Sequence, residues 1–238
     1  MNIALIGYGK MGKEIELIAL SRGHNIVLKI DASNATTYTI DELKKADVAI
    51  EFSTPEAAIN NIYSCFDANV PVVVGTTGWL SKLDDVKQKC ANKQQALFYA
   101  SNYSIGVNLF FKLNEYLAKL MNNYPNYNVS MEEIHHVHKL DAPSGTAISL
   151  ANQVIEQLAE KQKWVNEAST AKQELSIISK RIDEVPGTHT VTYNSAVDEI
   201  SITHIAHNRK GFALGAVVAA EWIKDKKGVF GMNDLMNL

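Results

Sequence analysis

Ile3-Ala4-Leu5-Ile6-Gly7-Tyr8-Gly9-Lys10-Met11-Gly12 decides the fold of this chain. Four apolar residues run into a G-x-G-x-x-G. The segment from Lys13 to Ser21 then spaces Ile15, Leu17, Ile18 and Leu20 as a helix does, and Arg22-Gly23 stops it. Asn25-Ile26-Val27-Leu28-Lys29-Ile30 reads as a second strand closed by Asp31, 19 positions after Gly12. Strand, glycine loop, helix, strand and acid is the context a dinucleotide-binding loop needs. In that reading Gly7 makes the tight turn, Gly9 lets the backbone approach a pyrophosphate, and Gly12 lets helix and strand pack closely. Asp31 holds ribose hydroxyls, with Tyr8, Lys10 and Met11 completing the loop. The alternative is a βαβ unit whose glycines serve packing alone, Asp31 being a solvated strand end.

The alternation continues. Asp41 to Ala46 reads as a short helix, and Val48-Ala49-Ile50-Glu51-Phe52 as a strand. Ser53-Thr54-Pro55-Glu56 starts a helix, with a hydroxyl at the cap and proline in the first turn. Val70 to Val74 and Ala96 to Ala100 are further strands, with a helix over 81–91 between them. Such alternation predicts an α/β unit with a Rossmann-type, doubly wound parallel sheet, whose ligands lie beyond the strand carboxyl ends. Phe52-Ser53-Thr54-Pro55, Gly75-Thr76-Thr77-Gly78 and Ala100-Ser101-Asn102-Tyr103 all fall there. Read singly, each is equally a good turn or cap.

The second half changes period. A helix is expected from Ile105 to Met121, then a strand from Asn128 to His136 running into His135-His136-Val137-His138-Lys139-Leu140-Asp141-Ala142-Pro143-Ser144-Gly145-Thr146-Ala147. Imidazole titrates near neutrality and suits proton transfer. Lys139 adds a fixed charge. Ser144, Gly145 and Thr146, at the start of a helix over 147–158, offer backbone N–H groups to an anion such as a carboxylate. Two other readings stay open: His135, His136, His138 and Asp141 as metal ligands, without a familiar zinc spacing, or a surface turn with incidental histidines. Strands are expected at 175–181, 189–193 and 199–207, forming a second α+β domain with an open mixed sheet under one helical cover. Such open faces often pair subunits. The apolar helix from Phe212 to Ile223 returns to the first domain. Domain boundaries follow: 1–103 with 209–238 for the dinucleotide, and 104–208 for substrate and oligomerisation. Arg209, one of three arginines with Arg22 and Arg181, lies at the return crossing. There it clamps a carboxylate bidentately or serves only as a hinge-surface residue.

Composition narrows the classes. With 238 residues, 46% hydrophobic and 21% charged, the chain has material for a real core. A net charge of −3 and no long basic run argue against a nucleic-acid protein, and no apolar stretch reaches membrane-spanning length. Neither the basic region nor the cleavage site of a secretion signal is found at the start. Cys65 and Cys90 imply no disulfide framework, so a cytoplasmic setting is expected.

Glu133-Ile134-His135-His136-x-His138-Lys139-x-Asp141-Ala142-Pro143-Ser144-Gly145-Thr146-Ala147 is similar to the signature of the 4-hydroxy-tetrahydrodipicolinate reductases (historically dihydrodipicolinate reductases) of lysine biosynthesis. Gly75-Thr76-Thr77-Gly78, Asn102-Tyr103-Ser104-Ile105-Gly106-Val107-Asn108, Arg209 and Phe230-Gly231-Met232-Asn233-Asp234-Leu235 fall in the expected order, so the resemblance spans nearly the whole chain. It implies reduction by NADH or NADPH of a cyclic hydroxy-imine dicarboxylate that first loses water. It further implies that His135 donates a proton to the enamine and that Lys139 assists. By the same resemblance His136, Lys139, Gly145 and Thr146 hold a substrate carboxylate, with Arg209 nearby. Gly75, Thr77 and Ala100 to Tyr103 hold the nicotinamide end, with Phe52, Ser53 and Thr76 beside them. A homotetramer is implied as well.

Two departures bear on the cofactor. The family's phosphate loop is usually one residue longer, with arginine before Met-Gly where this chain has Lys10, and no arginine follows Asp31. An adenosine 2′-phosphate would meet a carboxylate there. NADH is therefore the expected preference, with tolerance of NADPH through Lys10 or Lys13. Rival readings are another small-substrate dehydrogenase, acting on aspartate or a related amino acid, and a sensor that binds NAD(H) without turning it over. Neither accounts for the whole His135-to-Ala147 run.

Overall fold

Side chains along β1 (Asn2–Ile6) alternate between two cores, Ile3 and Leu5 facing one and Ala4 and Ile6 the other. A strand buried on both faces belongs inside a parallel sheet covered on both sides. That sheet is six-stranded, in the order β2 (Asn25–Ile30), β1, β3 (Val48–Glu51), β4 (Val72–Val74), β5 (Ala96–Tyr99), β11 (Gly228–Phe230), with all pairs parallel. Helices α1 (Lys10–Ser21), α7 (Lys210–Ile223) and α8 (Met232–Met236) cover one face. Helices α2 (Ile40–Leu43), α3 (Pro55–Asp67) and α4 (Leu83–Asn92) cover the other. Each fully buried Leu or Ile in these two layers contributes about 1.5–3 kcal/mol. The computed structural model describes residues 1–208 and 210–237. The chain divides into two units, Met1–Ile105 with Lys210–Leu238, and Gly106–Arg209.

The chain leaves β1 for β2 on one side and returns to β3 on the other, so the sheet's switch point lies between β1 and β3, at the end where the glycine loop sits. Among the described residues no further strand is added beyond β2, consistent with the short segment between Asp31 and β3. The strand expected from Val70 begins at Val72, because Pro71 has no N–H for the ladder. Helix α7 is buried almost all round, as its sequence requires. A methyl group at Gly215 would stand 1.7 Å from the Tyr103 carbonyl oxygen, so this helix lies directly on the chain that follows β5. The three-residue β11 and the short α8 were not expected; so brief an element shows no period.

The second unit contains α5 (Ile105–Met121) from Gly106 onward. It also holds β6 (Asn128–His135), α6 (Gly145–Gln157), β7 (Lys163–Val165), β8 (Glu174–Arg181), β9 (Gly187–Asn194) and β10 (Glu199–Ala206). Its sheet runs β10-β9-β6-β8-β7, antiparallel on the β9 side of β6 and parallel on the β8 side. Val129, Met131, Leu175, Ile177, Val191 and Tyr193 pack under α5 and α6. The opposite face carries rows of hydroxyls, Thr190 meeting Thr203 at 3.1 Å and Thr192 meeting Ser201 at 3.0 Å. Among the described residues no helix is long and apolar enough to cross a membrane.

Candidate active site

In the first unit the three glycines of the loop are not equivalent. Gly7 has φ +94°, and a methyl group on it would lie 2.0 Å from the Phe52 carbonyl oxygen. One on Gly12 would lie 2.3 Å from the Gly7 carbonyl oxygen. Packing alone therefore requires both. Gly9, the N-cap of α1, has open space for 4 Å around its missing side chain. No side chain caps this helix and no acid lies in its first turn, so its positive end is unopposed. A pyrophosphate fits there, and it supplies the reason for glycine that packing does not.

The strand ends around this loop form two adjoining recesses. One of about 260 Å³ is lined by Met11, Phe52, Ser53, Gly75, Thr76 and Thr77 among others. A smaller one, about 100 Å³, includes Thr76, Thr77, Ala100 and Ser101. The Phe52 ring occupies the place of a Gly75 side chain, 2.1 Å from where its Cβ would be, and Ser53 N–H donates to Thr76 Oγ1 at 2.8 Å. Two of the expected residues are also tied into the fold. Tyr103 is buried and donates from Oη to the Val74 carbonyl at 2.7 Å, and Asn102 Oδ1 accepts from Ser104 N–H at 2.9 Å. Sequence reasoning missed Glu51, fully buried at the end of β3, which accepts from Ser53 and, at 3.2 Å, from Asn61 Nδ2.

Asp31 is exposed, and hydrogen bonds from the Ser33 hydroxyl and N–H to its Oδ1 hold its carboxyl below the usual range. Tyr8 turns its hydroxyl onto Glu16, and Lys29 lies 2.6 Å from the Glu16 carboxylate and 4.7 Å over the Tyr8 ring. Lys10 is exposed.

In the second unit the histidine run splits. β6 alternates Val129, Met131, Glu133 and His135 toward the covered face, so His135 is 7% exposed while His136 is half-buried. His138 points outward and meets the exposed Glu184 at 3.4 Å. Lys139 is held by both oxygens of Asp141, at 2.7 and 2.9 Å. The three imidazoles and Asp141 therefore do not converge as a ligand set. What converges on His135 comes from elsewhere: Glu133 Oε2 at 3.4 Å from Nδ1, and the His189 ring edge-on at 5.1 Å. Arg181 Nη2 reaches Glu133 at 3.3 Å and donates to the Asp141 carbonyl at 2.6 Å. Burial, with Lys139 and Arg181, pushes the His135 imidazole below the ordinary histidine value against the pull of Glu133. Burial, then His135, takes His189 down to about 4.

Glu133, His135 and His189 bring ligand-type atoms within 4.8 Å of one another. The Arg181 guanidinium, standing on the same carboxylate, already supplies the positive charge a cation would bring.

Ser144 was expected to leave its N–H open at the helix start. Instead that N–H donates to both Glu133 oxygens, at 3.0 and 3.1 Å, because a buried carboxylate needs donors. The Ser144 hydroxyl caps α6 by accepting from Ala147 N–H at 3.2 Å. Gly145 and the half-buried Thr146 remain at the helix start, and a Gly145 side chain would have nothing within 4 Å. Arg209, expected at a substrate carboxylate, lies outside the described residues.

A doubly wound sheet with a glycine loop at its switch point, joined in one chain to an α+β unit that buries an imidazole beside a carboxylate, defines a two-unit oxidoreductase of the dinucleotide-dependent class. Family models described as dihydrodipicolinate reductase, N-terminus, and dihydrodipicolinate reductase, C-terminus, match residues 1–103 and 106–236. The chain belongs to the dihydrodipicolinate reductase family. It is 51% identical over 238 residues to a 4-hydroxy-tetrahydrodipicolinate reductase of Christiangramia forsetii, covering all of this chain and 98% of that one. A Ralstonia pickettii protein of the same name is 36% identical over 203 residues, 82% of this chain and 76% of its own. Among solved structures, the dipicolinate-bound dihydrodipicolinate reductase of Paenisporosarcina sp. TG-14 has the same fold, with a TM-score of 0.78 at 24% identity over 98% of both chains.

Proposed function

We propose that this chain reduces 4-hydroxy-tetrahydrodipicolinate, through its dehydrated form, to tetrahydrodipicolinate in lysine and diaminopimelate biosynthesis. The whole-chain likeness at 51% identity carries the reaction. The buried His135 in the same unit as the open helix start at Gly145 carries its chemistry. Residues 1–103 with 209–238 bind the dinucleotide, and 104–208 bind substrate and pair subunits into a homotetramer. The hydroxyl-lined face of the second unit's sheet supports that pairing. The chain works in the cytoplasm, in keeping with its two free, buried cysteines.

A reduced nicotinamide, when bound, supplies the hydride. The chain's own residues do the rest. Gly7, Gly9, Lys10, Met11 and Gly12 hold the pyrophosphate at the α1 start, with Tyr8 bracing the loop. Phe52, Ser53, Gly75, Thr76, Thr77, Ala100 and Ser101 line the nicotinamide recess, while Asn102 and Tyr103 fix its floor. Gly145 and Thr146 receive one carboxylate of the dicarboxylate at the α6 start. His136, Lys139 and Arg209 complete that hold. After hydride transfer the substrate is an enamine, and the proton that completes reduction comes from His135, with Lys139 stabilising developing charge.

NADH is preferred over NADPH. Asp31 is an exposed carboxylate where the 2′-phosphate would fall, and the nearby Lys29 is occupied by Glu16. The test is initial-rate oxidation of NADH and NADPH, with substrate generated in place from pyruvate and aspartate semialdehyde by a dihydrodipicolinate synthase. Rapid synthase-dependent oxidation, faster with NADH, is expected. No oxidation by folded protein that still binds NADH would return the function to another dehydrogenase or to a sensor.

A further inference from the structure

Glu133 is the one fully buried carboxylate of the second unit among the described residues, and it faces the same way as His135, two positions on along β6. Both its oxygens accept from the Ser144 N–H, and Oε1 also meets Arg181 Nη2 at 3.3 Å. Oε2 is thereby held 3.4 Å from His135 Nδ1, a buried nitrogen that makes no regular hydrogen bond. His189 Nε2 stands 3.7 Å from the same oxygen, but engages the Ser144 hydroxyl at 3.1 Å. A neutral His189 leaves Arg181 and His135 as the cationic groups nearest the Glu133 carboxylate, beside the hydroxyl donors of Ser144 and Ser179.

We propose that Glu133 is a positioning residue for the protonation step: anchored by Ser144 and Arg181, its carboxylate keeps the proton on His135 Nδ1 and stabilises the imidazolium, so that Nε2 carries the proton given to substrate. This rests on the reading of His135 as the donor. A methyl group at Gly187 would stand 3.1 Å from His135 Nε2, so glycine there leaves that edge room.

The charges around His135 act in opposing directions. Lys139 and Arg181 disfavour its protonated form, Glu133 and Asp141 favour it, and His189, itself influenced by His204 on β10, lies against its ring. Burial opposes the charge of Glu133 as well, yet hydrogen bonds from Ser144 and Ser179, with the nearby His135, hold its carboxyl below the usual range. It is therefore an anion at neutral pH and the nearest favourable charge to the imidazole.

Glu133→Gln keeps the shape and removes the charge. An opposite charge this close moves a titration by about one pH unit or more. The high-pH fall of kcat should therefore shift down by about one pH unit, with kcat at pH 7.5 about tenfold lower and the KM for NADH unchanged. Glu133→Asp should recover part of the loss. In parallel, NMR titration of the His135 ring without substrate should show its pKa lowered in Glu133→Gln. A lower kcat with the pH limb and the His135 titration unmoved would overturn the proposal. Should Glu133→Gln fail to fold, Glu133→Asp, which keeps the charge on a shorter arm, should lower the His135 titration by less than about one pH unit, and an unmoved titration overturns the proposal. Because the ring titration needs no turnover, failure of the wild-type enzyme to reduce substrate would count against the assigned reaction and not against Glu133's hold on His135.

Discussion

Helices α1 and α6 both begin beside a glycine whose missing side chain faces open space, yet the two units prepare these starts by different means. At α1 the work is done by backbone: no side chain caps the helix, no acid sits in its first turn, and two further glycines bend the loop against Phe52 and itself. At α6 it is done by buried side chains: Ser144 caps the helix, Glu133 fixes the Ser144 N–H, and Arg181 and His189 close round that carboxylate. A backbone cradle suits a diphosphate, which needs donors and no proton. A cradle tied to a titratable cluster suits a substrate that must be protonated after it is reduced.

The largest contrast expected is in acid. His189 titrates at about 4 in the fold, against about 6.5 in an unfolded chain. Between those values the unfolded state binds more protons, so stability is full above pH 6.5 and falls as pH drops toward 4. The loss reaches about 3 kcal/mol at most. Thermal melts from pH 7 to 4.5 should show this fall, His189→Gln should flatten it, and amide exchange should place the loosening in the second unit. Equal loosening of the first unit would erase the contrast.

A second test separates the glycines of the loop. Gly7→Ala should destabilise the protein by about 3 kcal/mol, since it combines a disfavoured φ with a backbone collision. Gly9→Ala should leave the melting temperature unchanged and weaken NADH about tenfold, or ~1.4 kcal/mol. If Gly9→Ala melts as early as Gly7→Ala, packing alone explains the motif. A smaller effect sharpens the same side. Asp31→Ala should raise the KM for NADH roughly fivefold, about 1 kcal/mol, and spare or improve NADPH. An equal loss with both would remove Asp31 as the selectivity residue.

The same contrast explains what the sequence revealed. The loop, β1, α1, β2 and Asp31 lie within the first 31 residues, and their spacing is set by local geometry, so the motif and its partners were read together. α5 and β2 were found with the bounds the structure has, because each carries an uninterrupted period. The cluster around His135 was read only in part. Glu133 could have been found, since period-two alternation puts it on the same face as His135. Arg181 and His189 arrive from β8 and β9 through strand pairing, Arg181 opposite His135 and His189 opposite Glu133, and no local spacing announces that register. Three histidines in one run drew attention to His138, which alternation and a turn send outward. The Ser144 N–H is not the open donor its place at a helix start suggests, because Glu133, eleven residues earlier, consumes it once the chain turns back after β6.

In the proposed division of labour the first unit's backbone holds the cofactor and His135 supplies the proton. The measurement that tests it most directly is kcat together with NADH affinity on His135→Gln and Lys139→Ala, assayed beside the wild type. Loss of a positioned acid or charge stabiliser should lower kcat by about a hundredfold or more in each, with the Kd for NADH unchanged. Turnover near the wild-type value in both variants would contradict it.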